Sequence, residues 1–230
     1  VTHIRRTTLH LLVLLGTLTL GLHEAQAQSR PPSRYNTPQP AVEFSATYGS
    51  MWGGSVGTRS GKLRAGTGES WGLALDIPVP GGAFVELSYT RQNGSLDLDN
   101  WGVTTLTDMS VNHYQIGGLR SLMPGPVSPF VFGGLGATHF SPAESTVVID
   151  ETVYPVQAYT RFSMHFGAGF KAYFGKAEKV GIRASFKFLP TLYNTGGGLW
   201  FGSGGASVGL TGSAIWQYEI AGGLTVKFGG

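Results

Sequence analysis

Cysteine is absent from the 230 residues, and charge is scarce, with 13% of the chain Asp, Glu, Lys or Arg. The missing cysteine excludes disulfide scaffolds, thiolate zinc sites, cysteine nucleophiles and lipidation through a thiol. The net charge of +3 is small and its basic residues are scattered, so nucleic acid is not an expected partner. Beyond the first 40 residues no apolar stripe with a 3.6-residue period reaches helical length. Glycine, by contrast, fills 36 positions, twice its usual share of about 7% and without a collagen period. Hydrophobic residues at 41% and aromatics at 12% are too many for a disordered chain.

Residues 1–27 have the three parts of a secretory signal. His3, Arg5 and Arg6 make a basic start, Leu9 to Leu22 an apolar run, and Ala25-Gln26-Ala27 a small-x-small cleavage site. A membrane-spanning helix needs about 20 apolar residues, and His23-Glu24 ends this run first. Cleavage removes Arg5, Arg6 and Glu24 and takes the net charge from +3 to +2. Residues 28–40 carry four prolines among polar residues and read as an extended linker.

From residue 41 the period is two. Val42, Phe44, Ala46 and Tyr48 alternate with polar or small residues, as do Trp71, Leu73, Leu75 and Ile77, then Val85, Leu87 and Tyr89. A fourth run over 109–122 holds Val111, Tyr114 and Ile116, its phase blurred at Gly117-Gly118. The fifth, 129–140, is aromatic on one phase through Phe130, Phe132 and Phe140. Phe162 to Phe174, Ile182 to Phe188 and Trp216 to Phe228 complete eight runs of strand alternation. Short connections at 78–82, 123–126 and 175–179 alternate with long ones at about 53–67, 93–108, 141–158 and 190–212. That rhythm predicts an all-β, eight-stranded antiparallel up-and-down barrel over 41–228, its two rims facing different compartments.

Alternation alone does not say which phase faces in. Three features favour a transmembrane barrel with apolar residues turned to lipid. The runs reach the 9–11 residues a tilted strand needs to span a bilayer. The polar phase is rich in Gly, Ser, Thr and Ala rather than charge, as a narrow interior requires. Aromatics cluster near run ends (Trp52, Trp71, Tyr89, Tyr114, Phe140, Tyr159, Phe174, Tyr193, Trp216 and Phe228), where they would form interfacial girdles. Eight strands close into a barrel filled by its own side chains, which requires the last strand to pair with the first.

The segments His113-Tyr114-Gln115-Ile116-Gly117-Gly118 and Pro129-Phe130-Val131-Phe132-Gly133-Gly134-Leu135-Gly136, with the strand rhythm, resemble the small OmpA/OmpX/OmpW-like outer-membrane barrels. The resemblance implies a bacterial outer-membrane location, contact with outer-membrane lipid and lipopolysaccharide, and a structural, adhesive or envelope-integrity role without catalysis. Its OmpW-like side implies the alternative of a narrow channel for small hydrophobic or ionic solutes. The last strand resembles the signal read by the barrel-assembly machinery, with Phe228 as the terminal aromatic, Val226 two before it and Gly223 five before it; Ala221 stands where a polar residue is usual. No cofactor or metal is implied, and a monomer suffices.

The inward phase is expected to carry Glu43, Glu86, Arg161, His165, Lys171, Arg183, Lys187, Glu219 and Lys227. Buried charges must be paired; Glu86 and Glu219 are the expected acceptors, and Arg183, Lys187 and Lys171 the donors. Such a set is either a static polar plug or a gate lined by selective charge. His139-Phe140-Ser141 resembles part of the His-x-Ser-Asn segment of lipid A deacylases, although Pro142 replaces the Asn; the plainer reading is a strand-end His beside a turn. Asp97, Asp99, Asp108, Glu144, Asp150 and Glu151 make the outer loops acidic, either as solvated tips or as cation bridges to lipid phosphates. Leu199, Trp200 and Phe201 lie in a Gly-rich loop and could dip into lipid or meet a partner.

Overall fold

A computed structural model describes residues 41–229 apart from 59–60, 100–102, 124, 150–151, 176–177, 194–197, 203–204 and 210–212. The signal segment 1–27, the linker 28–40, Asp150 and Glu151 therefore lie outside the described residues, as do the side chains of Tyr193, Leu199, Trp200 and Phe201. Eight long strands are present: β1 (Val42–Trp52), β2 (Gly68–Val79), β3 (Ala83–Asp99), β4 (Val103–Ser121), β5 (Val127–Pro142), β6 (Tyr159–Phe174), β7 (Val180–Tyr193) and β8 (Ser213–Phe228). Each pairs antiparallel with its sequence neighbours, and β8 pairs with β1 from Val42↔Phe228 to Trp52↔Tyr218. The sheet is closed, so no strand edge meets lipid with unpaired backbone groups. At the lower rim Gly81 and Gly82 turn β2 into β3 at φ of 90° and 75°, a conformation glycine adopts freely.

The registers fix the barrel's shear. A row of partners that leaves β6 at Thr160 passes through His139, Asn112, Arg91, Trp71, Tyr48, Gly222 and Ala184, and returns to β6 at Phe170. That return lies ten residues further along the strand, from 160 to 170. With eight strands and ordinary strand spacings, such a shear tilts the strands by about 40°.

The expected loops carry strand of their own, and the one between β3 and β4 is largely strand. β3 and β4 run on through 93–99 and 103–108, where a long connection was anticipated. They rise above the barrel as a ribbon, with a bulge between Leu96 and Asp97. The hairpin Ser55–Thr58/Gly61–Ala65 pairs along the β3 side of that ribbon, from Lys62↔Asp99 to Ala65↔Leu96. The added pairing and the burial of Leu98 keep the ribbon extended. Its Arg64–Asp99 ion pair, 3.6 Å long, is roughly half exposed. Exposed pairs contribute about 0–1 kcal/mol, so Arg64→Ala is expected to leave the unfolding midpoint in urea nearly unchanged; a loss as large as that of a core mutation would show that the ribbon carries the fold.

The fifth run has the opposite phase from that expected. Phe130, Phe132 and Phe140 point into the barrel and are buried, while Val127, Val131 and Leu135 face out. Glycines across the register make the room: a Cβ at Gly169 would lie 2.6 Å from Phe130 Cζ, and one at Gly167 the same distance from Phe132 Cζ. Phe140 is therefore not a girdle residue; it packs with Met109, Val111 and Ile215 beneath the upper rim. Tyr159 is not one either, since it stacks on Phe140 with ring centroids 4.8 Å apart. In the blurred fourth run Val111 and Leu119 face inward, whereas Tyr114 and Ile116 face outward.

Candidate functional site

The barrel interior is the densest collection of polar groups in the described chain. On the inward phase β1 supplies Glu43, β2 Asp76, β3 Glu86 and Thr90, β6 His165 and Lys171, β7 Arg183 and Lys187, and β8 Glu219. These residues are far apart in sequence, and the alternation of eight strands brings them to one axis.

In the lower half the ions form a chain. Lys171 Nζ donates to Glu43 Oε2 at 2.5 Å and to Asp76 Oδ2 at 2.6 Å. Arg183 donates through Nη1 to the same Asp76 oxygen at 3.2 Å and through Nη2 to Glu86 Oε2 at 2.5 Å. Glu86 Oε1 lies 3.8 Å from His165 Nε2. One level higher Lys187 Nζ bridges Glu219 Oε2 at 2.9 Å and Thr90 Oγ1 at 3.1 Å. Four carboxylates thus face three buried cations. Lys227, at the lower mouth, adds a positive charge 3.4 Å from the centroid of the Tyr173 ring.

The opposite wall is apolar. Leu119, Phe130 and Phe132 form a cluster with Phe84 against it. Arg183 lies 4.9 Å and Lys171 5.5 Å from the Phe130 ring centroid. The cations are therefore held between carboxylates on one side and an aromatic face on the other.

Above the ions sits a layer of uncharged hydrogen bonds. Gln115 Nε2 donates to Ser163 Oγ at 2.7 Å, and Gln115 Oε1 lies 3.1 Å from His165 Nδ1. His113 Nδ1 meets Thr138 Oγ1 at 2.8 Å, and Thr191 Oγ1 donates to the same oxygen at 3.1 Å. Gln217 Nε2 donates to Gln92 Oε1 at 2.9 Å. The Phe140 cluster closes the top. A cavity of about 10 Å³ beside Glu86, Thr90, Arg183 and Lys187 has room for about one water.

Asp76 was missed in sequence, although it is fully buried and joins Lys171 to Arg183. The signal was available, because it shares the inward phase with Ser70, Gly72 and Ala74. Arg161 is a correction in the other direction. It is exposed at the upper mouth, 5.2 Å from the Tyr159 ring centroid, and joins no ion pair among the described residues. The strand outruns the closed part of the barrel there, so the inward phase meets water.

The outer face inverts the burial of a soluble protein. Tyr48, Ile116, Ile220 and Leu224 are more than half exposed. Trp71, Tyr89 and Tyr114 form a ladder of ring contacts at 5.3 and 5.2 Å across β2–β4. Trp52 stacks on Tyr218, which contacts Phe188; Trp216 is exposed near the same rim, and Phe174 and Phe228 are exposed at the lower one. Apolar residues turned out and charges turned in are what a bilayer demands.

The chain has the fold of the small eight-stranded outer-membrane β-barrels. It superposes on OprG from Pseudomonas aeruginosa with a TM-score of 0.57 at 14% identity, covering 83% of this chain and 97% of that one. It is similar to neisserial surface protein A with a TM-score of 0.52 at 15% identity, over 81% and 97% of the two chains. The outer membrane protein AlkL, solved in lipid bilayers, gives 0.51 at 9% identity over 83% and 90%. No protein-family model and no curated protein sequence matches the chain.

Other candidates resolve into local structure. His139 faces out, and its Nδ1 meets Thr160 Oγ1 at 2.9 Å on the register partner rather than Ser141. Asp97 accepts from Thr105 and Asp99 pairs with Arg64. At the seam Gly223 lets β8 approach β1, since a Cβ there would meet the Ala46 carbonyl oxygen. Val226 and Phe228 stand on the outward phase beside it.

Proposed function

We propose that this is an integral bacterial outer-membrane barrel, exported through residues 1–27, that serves a structural, adhesive or envelope-integrity role and does not conduct. In this reading the assembly machinery engages the final strand through Gly223, Val226 and Phe228, and the upper ribbon and loops present the chain to the exterior. The observation that carries the closed-barrel reading is the interior plug. The ion chain from Glu43 to His165 crosses the lumen, the glutamine layer bridges its walls above, and the Phe140 cluster caps it. An ion entering this lumen would have to break buried, charge-assisted hydrogen bonds, among the strongest a protein makes. Purified protein in planar bilayers is expected to give no discrete current steps in KCl. Reproducible unitary openings that vanish on heat denaturation would overturn the plug and restore the channel alternative.

A further inference from the structure

The acids of the lower lumen stand side by side. Glu43, Asp76 and Glu86 are successive register partners on β1, β2 and β3, and all three are buried on the inward phase. Directly opposed residues of neighbouring strands hold their Cβ atoms about 4.5–5.5 Å apart, and like charges so placed repel. Among the described residues two cations pair with this row. They are Lys171 and Arg183, themselves register partners on β6 and β7. The level above is balanced on its own, since Lys187 pairs with its register partner Glu219. The lower row is therefore one positive charge short.

The shortage falls on Asp76. Each cation makes its shortest contact with an end member of the row, Lys171 with Glu43 at 2.5 Å and Arg183 with Glu86 at 2.5 Å. Asp76 takes the second bond of each, at 2.6 and 3.2 Å, and takes both on Oδ2. Its Oδ1 is buried and has no hydrogen-bond partner among the described residues. The other titratable groups nearby do not supply one. Lys227 lies over the Tyr173 ring at the lower mouth, and His165 Nε2 is directed at Glu86. The Tyr173 hydroxyl faces Glu43 and Asp76 but makes no hydrogen bond with Oδ1. His113 stands higher, against Thr138. A metal ion does not fill the gap either, because no group of His, Asp and Glu among the described residues is arranged to hold one. The water-sized cavity beside Glu86 and Lys187 does not reach Asp76. A proton needs no cavity.

We propose that the row binds one proton, held on Asp76 Oδ1, and that this proton completes the charge of the sealed lower lumen. Neighbouring carboxylates closed off from water do not all ionise, and in a row of three with two cations the middle acid stays neutral. As a neutral acid Asp76 still accepts from Lys171 and Arg183 through Oδ2. In the unfolded chain the same side chain ionises at about pH 3.9. Folding therefore takes up a proton, and the folded barrel gains stability as the pH falls from about 8 toward about 5. One proton changes the unfolding equilibrium by at most about tenfold per pH unit. The inference rests on the closed membrane barrel proposed above, whose lumen excludes bulk water.

The test compares the wild type with Asp76→Asn and His165→Gln, each refolded into phosphatidylcholine vesicles and unfolded by urea at about pH 8 and about pH 5.5. The wild-type midpoint is expected to rise on acidification. Asparagine imitates the neutral acid at every pH, so Asp76→Asn is expected to match or exceed the wild type at the higher pH and to lose most of the rise. His165→Gln should keep the rise. Infrared spectra of the refolded protein at the lower pH give a readout that packing does not supply: the wild type is expected to show the C=O stretch of a protonated carboxyl, and Asp76→Asn to lack it. A wild-type midpoint flat in pH, an Asp76→Asn variant that is less stable or unfolded at the higher pH, a rise that disappears with His165 instead, or no carboxyl band would each overturn the site. A wild type without any heat-dependent gel mobility would instead overturn the barrel reading.

Discussion

Arg183→Met is expected to destabilise the barrel by about 3–5 kcal/mol, the cost of stripping one partner from a buried ion pair. The guanidinium serves two carboxylates, Asp76 and Glu86, each no more than 1% exposed. Methionine keeps much of the packing against Phe130 but carries no charge. Asp76 would retain Lys171, so the orphan is Glu86, left with His165 at 3.8 Å. Lipid surrounds this layer in the barrel reading, and the neighbouring cavity has room for about one water, so bulk solvent does not rescue the carboxylate. Adding Glu86→Gln to Arg183→Met removes the uncompensated charge and is expected to recover part of the loss, a non-additivity that marks direct coupling. Urea unfolding in vesicles, followed by tryptophan fluorescence and gel mobility together, measures both variants. A double variant no more stable than Arg183→Met would show that the guanidinium acts through packing rather than through the pair.

The same network shows what was legible in the sequence. Strict alternation in β6, Phe162 to Phe174 against Arg161 to Tyr173, made the strand and separated its faces without any tertiary information. The inward charges follow from it because their hydrophobic partners leave no doubt about the outward phase. β5 is different, since both of its phases carry apolar residues: Phe130 and Phe132 on one, Val131 and Leu135 on the other. Its phase is decided by Gly167 and Gly169, more than 30 residues away, whose missing side chains accept the two rings. Local hydrophobicity holds no record of that pairing. Asp76 stayed hidden for a related reason. A single acidic residue on a small-residue phase has no local partner, and its two cations arrive from β6 and β7. Arg161 erred because phase says which face a residue takes, not whether the strand is still inside the closed part of the barrel.

Gly169→Val is expected to abolish assembly of the native barrel, whereas Gly222→Val should be tolerated. Both glycines lie in long barrel strands, and neither has the left-handed backbone conformation that would itself require glycine. The difference is space. A Cβ at Gly169 would overlap the Ala184 carbonyl oxygen and stand 2.6 Å from Phe130 Cζ. The first contact is backbone of the paired strand, and the second is a ring enclosed by Leu119 and Phe132, so neither can withdraw cheaply. Overpacking commonly costs about 1–3 kcal/mol, and valine adds two methyl groups to a Cβ that already overlaps. At Gly222 the new Cβ points to lipid, its nearest neighbour the Arg183 carbonyl oxygen at 3.8 Å. Refolding into vesicles and comparing boiled with unboiled mobility is expected to show no compact band for Gly169→Val and a wild-type band for Gly222→Val. Adding Phe130→Ala removes the ring contact but not the backbone one, so partial return of the band is expected. Full folding of Gly169→Val alone would mean that Phe130 does not occupy the lumen over β6, and the aromatic wall behind Arg183 and Lys171 would fall with it.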